Sequence, residues 1–477
     1  MNKKVFSISG TCLTLLLLVM FVAPAQVYGF IQDAYIFITN YLGIFYLLTG
    51  FLVLIFTVFI LHKHGKVVLG AKEDCKTYSE FAWGAMMFCT GIGGSMMIFS
   101  FIEPLYYLKD TPFGIEEFSQ EAYEYAHMYG QFHWGVLDWM LCVPVTLFIA
   151  YSLYVNRGNF GSFGNMLAKK EGRNLTADII DVFCILAIIG GAASSMGLAA
   201  PIICQITSSI SGIPNNRGLL IAVFAIWFLI FTTSVWKGLE KGIKKLSYVN
   251  VCIAILFILL IFLIANPLTV IKTEMNSIGL LGQNFIRMTL YTAPFEANGF
   301  PQRWTVFYWA LTLAYLPGVA IFTARISKGR TIRQLVYGMV GYGSLGTMFS
   351  FATLGCYSLY LQRNGIVDLA NILQSQGKEA AIIALLETLP LHQVFCIVFA
   401  LTCMIFMATT IDSSVYVIAS IISRKMVRDE DPPRWLRVMW AVLMLLFSML
   451  LTLVGGLETM QTASIITAFP IIFINTI

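Results

Sequence analysis

The chain has 477 residues, of which 58% are hydrophobic and 12% are charged, and its formal net charge is +5. Its mean hydropathy is +0.79. This composition excludes a soluble globular protein, and long apolar stretches recur from one end of the chain to the other. The sequence therefore predicts an all-α polytopic membrane protein.

Apolar stretches of membrane-spanning length predict about twelve transmembrane helices. The first also fits a cleaved signal peptide, because Lys3 and Lys4 precede an apolar run that ends near Ala23-Pro24-Ala25. The run is long for a signal peptide, which favours a retained helix. The predicted spans are residues 6–28, 33–62, 80–108, 130–155, 177–210, 217–236, 247–271, 303–327, 331–361, 390–423, 435–455 and 459–477.

The basic residues predict the orientation of these spans. With a cytoplasmic N-terminus, 23 of the 30 Lys and Arg residues lie in segments that face the cytoplasm. The positive-inside rule predicts this bias for a correct span count and orientation. The net positive charge therefore reflects membrane topology and does not indicate a nucleic-acid partner. We expect the protein in the cytoplasmic membrane of the cell.

No sequence motif indicates catalysis or a bound cofactor. The ten cysteines include no C-x-x-C pair and lie mostly within predicted spans, which is typical of small packing residues. Phosphate-binding, dinucleotide-binding and zinc-protease motifs are missing from the sequence. The five histidines are too dispersed for a catalytic cluster. We therefore expect ligand binding without a covalent reaction, no cofactor and no enzymatic activity.

The third predicted span combines glycines with a carboxylate. It runs Cys89-Thr90-Gly91-Ile92-Gly93-Gly94-Ser95 and continues to Glu103-Pro104. Glycine lets the backbone approach a solute closely, and irregular backbone within a bilayer survives only where it lines a cavity or packs on protein. Transporters build binding sites from interrupted helices of this kind. The segment is therefore a candidate ligand site.

The fourth predicted span places two indole rings beside polar residues. Trp134 and Trp139 are five residues apart, about 140° around a continuous helix, so both rings would border one cavity. His133 and Asp138 share the span and are expected to point away from lipid, where their polarity is costly. Indole rings attract a quaternary ammonium through cation–π interaction. Trp residues at a membrane interface are the plainer alternative.

Several segments together resemble one known family. They are Phe88 to Tyr107, His133 to Trp139 and Phe300 to Ala310, and the most specific is the turn Ala324-Arg325-Ile326-Ser327-Lys328-Gly329-Arg330-Thr331-Ile332-Arg333. These segments closely resemble the betaine/carnitine/choline transporter family. The resemblance extends over essentially the whole chain. It is specific for the family and much less specific for the substrate.

The resemblance implies two leading helices followed by two five-helix repeats of inverted topology. The leading helices and a cytoplasmic loop would occupy residues 1–79, and the repeats residues 80–271 and 303–477. An interfacial helix and a linker would occupy residues 272–302. One bundle moving against the other around a central site would give alternating access. Family analogy alone implies a homotrimer.

The resemblance also implies an aromatic substrate box, which is incomplete in this chain. Leu311-Thr312 stands where relatives carry a Trp-Trp pair, and Cys142 stands where a tyrosine is expected. Fewer indoles suggest a smaller or more polar substrate, or a cation held by fewer rings. Leu311 also fits simple packing. The residues that match the box or its supporting positions are Tyr106, Trp134, Trp139, Phe307 and Tyr315.

Two carboxylates have open roles at this stage. Asp138 departs from the family's box, and beside two indole rings it would pair directly with the ammonium group of a substrate. The alternative places Asp138 in the water of an outer vestibule. Glu103, near the outer end of the third span, is open to the same two interpretations.

Two signals disagree about the coupling ion. Lys244 occupies the place where sodium-independent carnitine exchangers have an arginine, so its ammonium would replace an ion. The alternative makes Lys244 one of several cytoplasmic lysines. Hydroxyl and carbonyl oxygens in the third and tenth spans would instead suit sodium, unless the hydroxyls bond to their own helix. The residues that match the sodium site of sodium-driven relatives are Cys89, Ile92, Phe406, Thr409 and Thr410.

These inferences predict a secondary transporter of a trimethylammonium zwitterion such as glycine betaine, carnitine or gamma-butyrobetaine. We favour sodium-independent exchange, and a sodium-coupled betaine or choline symporter is the alternative. A channel would need a filter or a ring of charges, whereas a receptor would use the same residues without alternating access. The expected partners are the small ammonium substrate, the lipid bilayer and, for a symporter, sodium.

Overall fold

The regular elements of the computed structural model are helices. It describes residues 1–70, 76–90, 93–156, 162–167, 174–237, 244–296, 298–424, 432–455 and 457–476. Within these residues, one isolated β-bridge joins Val68 to Thr331. The all-α fold expected from the composition is therefore confirmed.

The first half of the chain contains thirteen of the described helices. A π-helical turn, Ile38–Leu42, connects the second and third of them into the second predicted span, which begins at Pro24 and not at residue 33 because α1 already ends at Val22. The helices are α1 (Lys3–Val22), α2 (Pro24–Phe37), α3 (Gly43–His64), α4 (Glu80–Thr90), α5 (Gly94–Tyr107), α6 (Gln120–Trp134), α7 (Val136–Leu141), α8 (Val143–Tyr154), α9 (Phe163–Leu167), α10 (Leu175–Ser211), α11 (Arg217–Lys237), α12 (Lys244–Ile264) and α13 (Pro267–Thr289).

The second half adds nine described helices and three π-helical turns. The turns are Pro301–Thr305, Gly338–Tyr342 and Phe351–Gly355, and each continues into the next helix. The helices are α14 (Val306–Ile326), α15 (Ile332–Tyr337), α16 (Gly343–Ser350), α17 (Cys356–Arg363), α18 (Leu369–Ser375), α19 (Lys378–Leu386), α20 (His392–Ser423), α21 (Arg434–Val454) and α22 (Leu457–Thr476).

The helices follow the twelve predicted spans. Seven helices or runs of consecutive helices among the described residues are long and apolar enough to cross a membrane, and the bent pair α12–α13 counts as an eighth if it is one span. The other four predicted spans coincide with α4–α5, α11, α15–α17 and α22. Of these four spans, α11 and α22 are single helices, whereas the other two are runs of shorter helices.

Helix α10 lies at the centre of the bundle, where it packs against α14, α20, α21 and α22. Residues 190–200 of α10 are mostly small, which lets neighbouring helices approach closely within a membrane. Ser464 of α22 donates a hydrogen bond to Ser194 of α10 at 2.9 Å. The Tyr46 hydroxyl of α3 donates to the carbonyl of Ile465 at 2.7 Å. The leading helices are therefore attached to the central bundle, and α1 packs on α10 and α21.

Helix α13 leaves the direction of α12 at an angle of 102°. The bend lies at Asn266, which has a φ of 61° and accepts a hydrogen bond from the backbone N–H of Leu268. Asparagine tolerates this left-handed conformation, and Pro267 suits the first position of the new helix. The predicted seventh span, which ran to residue 271, is therefore too long at its end. One face of α13 contacts α6, because Ser277 lies 2.7 Å from the His127 ring nitrogen.

A buried arginine organises the turn between α14 and α15. Arg330 has no exposed surface, and its guanidinium donates to Glu80 at 2.6 Å and to the carbonyl of Tyr78 at 3.0 Å. It also lies 3.9 Å from the centroid of the Trp83 ring. The indole of Trp83 donates to Ser327 at 3.2 Å. Arg330 therefore joins the start of α4 to the segment that carries the most specific family resemblance.

Replacement of Arg330 with alanine is expected to lower the free energy of unfolding by about 1.5–3 kcal/mol, the usual worth of hydrogen bonds to a charged group. The matched control is Arg333→Ala, because Arg333 lies in the same segment but is exposed. Thermal unfolding of the detergent-solubilised variants, followed by intrinsic fluorescence, measures the difference. Equal midpoints for the two variants would contradict this role of Arg330.

Candidate substrate site

The third span is broken where the sequence predicts irregular backbone. Helix α4 ends at Thr90 and α5 begins at Gly94, whose preceding residue Gly93 is extended. A Cβ atom added to Gly94 would lie 2.3 Å from Met407 and 3.0 Å from the Cβ of Phe406. The first turn of α5 therefore lies directly against α20, and a larger residue at Gly94 would separate them.

The predicted ion-site hydroxyls lie beside this contact. Thr409 and Thr410 are half-buried, and both donate to the carbonyl of Phe406 at 2.9 Å. The alternative in which these hydroxyls bond to their own helix is therefore what the structure shows. Their oxygens keep lone pairs for a further partner. The side chains of Cys89 and Lys244, and all of Ile92, lie outside the described residues.

A second break separates the two tryptophans of the fourth span. Helix α6 ends at Trp134 and α7 begins at Val136, because Gly135 has non-helical dihedral angles of −96° and −137°. A Cβ atom at Gly135 would lie 2.2 Å from the carbonyl oxygen of Gln131, so glycine is required there. The predicted angle of about 140° between Trp134 and Trp139 assumed a continuous helix and is wrong.

The two indole rings have different surroundings. Trp139 is 7% exposed and its ring lies on Gly343, where an added Cβ atom would be 2.6 Å from the ring. The buried Nε1 of Trp139 has no hydrogen-bond partner among the residues that the structure describes. Trp134 is partly exposed, and its Nε1 donates to Glu103 at 2.8 Å. One indole is fixed by a hydrogen bond and the other by packing.

Trp134 belongs to an aromatic cluster contributed by four parts of the chain. Its ring centroid lies 5.9 Å from that of Phe99, 5.4 Å from that of Tyr308 and 6.1 Å from that of Phe351. Trp304 stacks near-parallel to Tyr308, with 6.4 Å between the centroids and 17° between the planes. The cluster is therefore built from α5, α6, α14 and the adjoining π-helical turns.

The predicted residues Tyr106 and Phe307 join the same cluster. The Tyr106 ring lies 5.0 Å from Trp304, and the Phe307 ring lies 4.9 Å from Tyr308. Phe307 is 1% exposed, so it packs against the buried side of the cluster. Sequence reasoning missed Trp304 and Tyr308. Their spacing of four residues in the resembling segment was the available signal, since such residues share a helix face.

The polar end of the predicted site lies one turn further along α14. The Thr312 hydroxyl donates a short hydrogen bond to Asp138. Asp138 is 8% exposed, so the alternative that placed it in vestibule water is wrong. The Tyr315 hydroxyl donates to the carbonyl of Gly191 at 2.8 Å and lies 2.6 Å from the Ser195 hydroxyl. Thr312 and Tyr315 therefore connect α14 to α7 and α10.

Two departures from the family's box lie in the packed interior. Leu311 is 3% exposed and Cys142 is 2% exposed. Their burial agrees with the packing interpretation given for Leu311. The accessible surface of this region comes from partly exposed neighbours, which are Tyr106, Trp134, Thr312 and Tyr315.

A buried carboxylate supports the aromatic cluster. Glu103 has no exposed surface. One of its oxygens accepts from the Tyr107 hydroxyl at 2.7 Å and lies 3.1 Å from Nδ1 of His133. The other accepts from the indole of Trp134 at 2.8 Å. The interpretation that put Glu103 in water is wrong, since the residue is enclosed beside the candidate box.

The chain matches known proteins over nearly its whole length. The family described as BCCT, betaine/carnitine/choline family transporter, matches residues 4–477. A carnitine transporter of Acinetobacter baumannii is 32% identical over 434 residues, which are 90% of this chain and 78% of that protein. An uncharacterized transporter of Escherichia coli strain K12, YeaV, is 30% identical over 416 residues, which are 86% of each chain.

One solved structure resembles the chain more distantly. It is a Na+-coupled sialic acid symporter in a substrate-bound outward-open state, with 13% identity and a TM-score of 0.45. The alignment covers 87% of this chain and 80% of that one. Likeness at this level says nothing further about the present chain. The family match and the two relatives identify the chain as a multi-pass membrane transporter that belongs to the betaine/carnitine/choline transporter family.

Proposed function

We propose that the chain is a secondary active transporter of trimethylammonium compounds across the cytoplasmic membrane, by alternating access. The observation that carries the proposal is the aromatic cluster that contains Tyr106, Trp134, Trp304 and Tyr308, two of whose members are partly exposed. A trimethylammonium group cannot donate hydrogen bonds, so ring faces are its natural partners. The nearby breaks in the third and fourth spans give the backbone the irregularity typical of such sites.

Compounds such as glycine betaine, carnitine and gamma-butyrobetaine are the proposed substrates. Their ammonium end would lie at the rings, with Asp138 contributing negative charge from the Thr312 side. Their carboxylate end would suit the start of α5, which no side chain in the described part of the chain caps, because free backbone N–H groups at a helix start attract anions. Leu311, Phe307 and Tyr315 would shape the site between these ends.

We further propose sodium-independent exchange, with Lys244 in place of a coupling ion. This follows from the residue type at position 244, since a tethered ammonium supplies the charge that an ion would bring. Sodium symport is the second candidate. It is favoured by the two half-buried hydroxyls of Thr409 and Thr410, whose free lone pairs suit a hard cation next to Phe406.

The proposed arrangement in the membrane follows the sequence. The N-terminus would be cytoplasmic, because that orientation places most Lys and Arg residues on the cytoplasmic side. Residues 1–79 would form the leading part, residues 80–271 and 303–477 the inverted repeats, and residues 272–302 the interfacial connection. A homotrimer is the proposed assembly by family analogy.

Uptake into liposomes tests the proposed function. The purified protein is reconstituted, and uptake of labelled glycine betaine and carnitine is measured with empty vesicles and with vesicles preloaded with the same compound. Saturable uptake that accelerates on preloading supports a carrier. Uptake without saturation indicates a channel, and binding without any uptake indicates a receptor. Either of these results would contradict the proposal.

Replacement of Trp139 with alanine is expected to abolish uptake, because it removes a ring of the box. Truncation of a buried tryptophan also costs about 3–5 kcal/mol of stability, so Trp139→Phe, which keeps a ring, is the matched variant. We expect it to retain measurable uptake. Size-exclusion elution of both variants checks folding, and near-normal uptake by a folded Trp139→Ala protein would remove Trp139 from the site.

Replacement of Lys244 with glutamine is expected to lower exchange without sodium by about tenfold or more, which corresponds to a loss of about 1.4 kcal/mol. The control is Lys245→Gln, since Lys245 is the adjacent lysine. Exchange rates are measured in sodium-free vesicles. Wild-type uptake that requires sodium and is lost in Thr409→Val and Thr410→Val would contradict the exchange mechanism and support symport.

A further inference from the structure

We propose that Glu103 is a positioning residue that fixes the Trp134 indole and thereby sets the affinity of the site for its ligand. The inference rests on the proposed function, because it concerns the same aromatic cluster. Glu103 itself is fully buried and acts through the ring. Its test separates a failure of the positioning role from a failure of the substrate assignment.

The environment of Glu103 makes its hydrogen bonds obligatory. The carboxylate has no exposed surface, and a buried charge without partners is very costly. Three donors surround it, namely the Tyr107 hydroxyl at 2.7 Å, the Trp134 indole at 2.8 Å and Nδ1 of His133 at 3.1 Å. Among the described residues no Lys or Arg forms an ion pair with it. The Trp134 bond is therefore one of few that keep the carboxylate stable.

The histidine in this network has a consistent proton assignment. Nε2 of His133 lies 3.1 Å from the Thr305 hydroxyl. If that hydroxyl donates to Nε2, Nδ1 carries the proton and shares it between Glu103 and the Tyr107 oxygen, which lies 2.8 Å away, while Tyr107 donates its own proton to Glu103. Tyr308 stacks on the His133 ring, with 4.7 Å between centroids and 25° between planes. These contacts therefore hold the Glu103 carboxylate in a fixed position, and the carboxylate can in turn fix the Trp134 indole.

The remaining contacts of Trp134 are ring to ring. Phe99, Tyr308 and Phe351 limit the tilt of the indole, but apolar contacts do not fix its rotation within the ring plane. Within the described part of the chain, the single directional contact of its side chain is the hydrogen bond to Glu103. Trp139 provides the comparison, because its buried indole N–H has no partner among the described residues. A change at position 103 should therefore affect Trp134 and leave Trp139 unaffected.

Nuclear magnetic resonance of the indole N–H groups tests the positioning directly. The protein is labelled with ¹⁵N at tryptophan Nε1, and the Trp134 and Trp139 signals are assigned by their loss in Trp134→Phe and Trp139→Phe. Glu103→Gln is expected to shift the Trp134 proton signal upfield, as a charge-assisted hydrogen bond is lost, and to leave the Trp139 signal in place. An unmoved Trp134 signal would overturn the inference with no substrate involved.

A double-mutant cycle tests the consequence for binding. Glu103→Gln is expected to raise the half-saturation concentration for uptake by about tenfold to a hundredfold, with a much smaller change in maximal rate. In the Trp134→Phe background this effect should fall below about twofold, because the indole donor is already gone. In the Trp139→Phe background it should persist in full. An equal effect in both backgrounds overturns the positioning role.

Two outcomes separate the linked claims. A wild-type protein that takes up no trimethylammonium compound contradicts the proposed function, and the magnetic resonance result then decides the role of Glu103. A protein that transports them while Glu103→Gln leaves the half-saturation concentration unchanged contradicts the inference alone. If Glu103→Gln does not fold, Trp134→Phe tests the same hydrogen bond from the donor side with the carboxylate intact.

Discussion

A carboxylate enclosed within an apolar helix bundle must find its hydrogen-bond donors inside the protein, and Glu103 is that carboxylate here. Its partners come from its own helix, through Tyr107, and from the end of α6, through His133 and Trp134. The network extends to Thr305 at the start of α14. The cost of burying one charge therefore ties together three of the four segments that supply the aromatic cluster.

The helix breaks place this network and the polar side of the site next to each other. Gly135 interrupts the fourth span immediately after Trp134, so α7 can present Asp138 to Thr312 while α6 presents its indole to Glu103. A continuous helix would fix the angle between these groups by its own periodicity. The break also frees Trp139 to pack on Gly343. The Trp134 ring on α6 and the Asp138 side chain on α7 thus reach one region from two separate short helices.

The sequence predicted the large-scale architecture well and the site only in part. Apolar length identified the helical spans, because the length of a span follows from the thickness of a membrane. The cluster around Trp134 includes the predicted Tyr106 and Phe307. Local periodicity did not reveal the break at Gly135, where only glycine fits because a Cβ atom would lie 2.2 Å from the carbonyl oxygen of Gln131. The partners of Glu103 lie up to 31 residues away in sequence, and no local pattern encodes such contacts.

The central claim is that aromatic rings hold a positively charged trimethylammonium group. The most direct measurement compares choline with its uncharged analogue 3,3-dimethylbutan-1-ol, and carnitine with its tert-butyl analogue, as competitors of labelled substrate uptake in liposomes. Each pair has the same shape, so only the charge differs. We expect the ammonium compound of at least one pair to compete about tenfold or more better, because cation–π attraction requires the charge. Equal competition within both pairs would contradict the account.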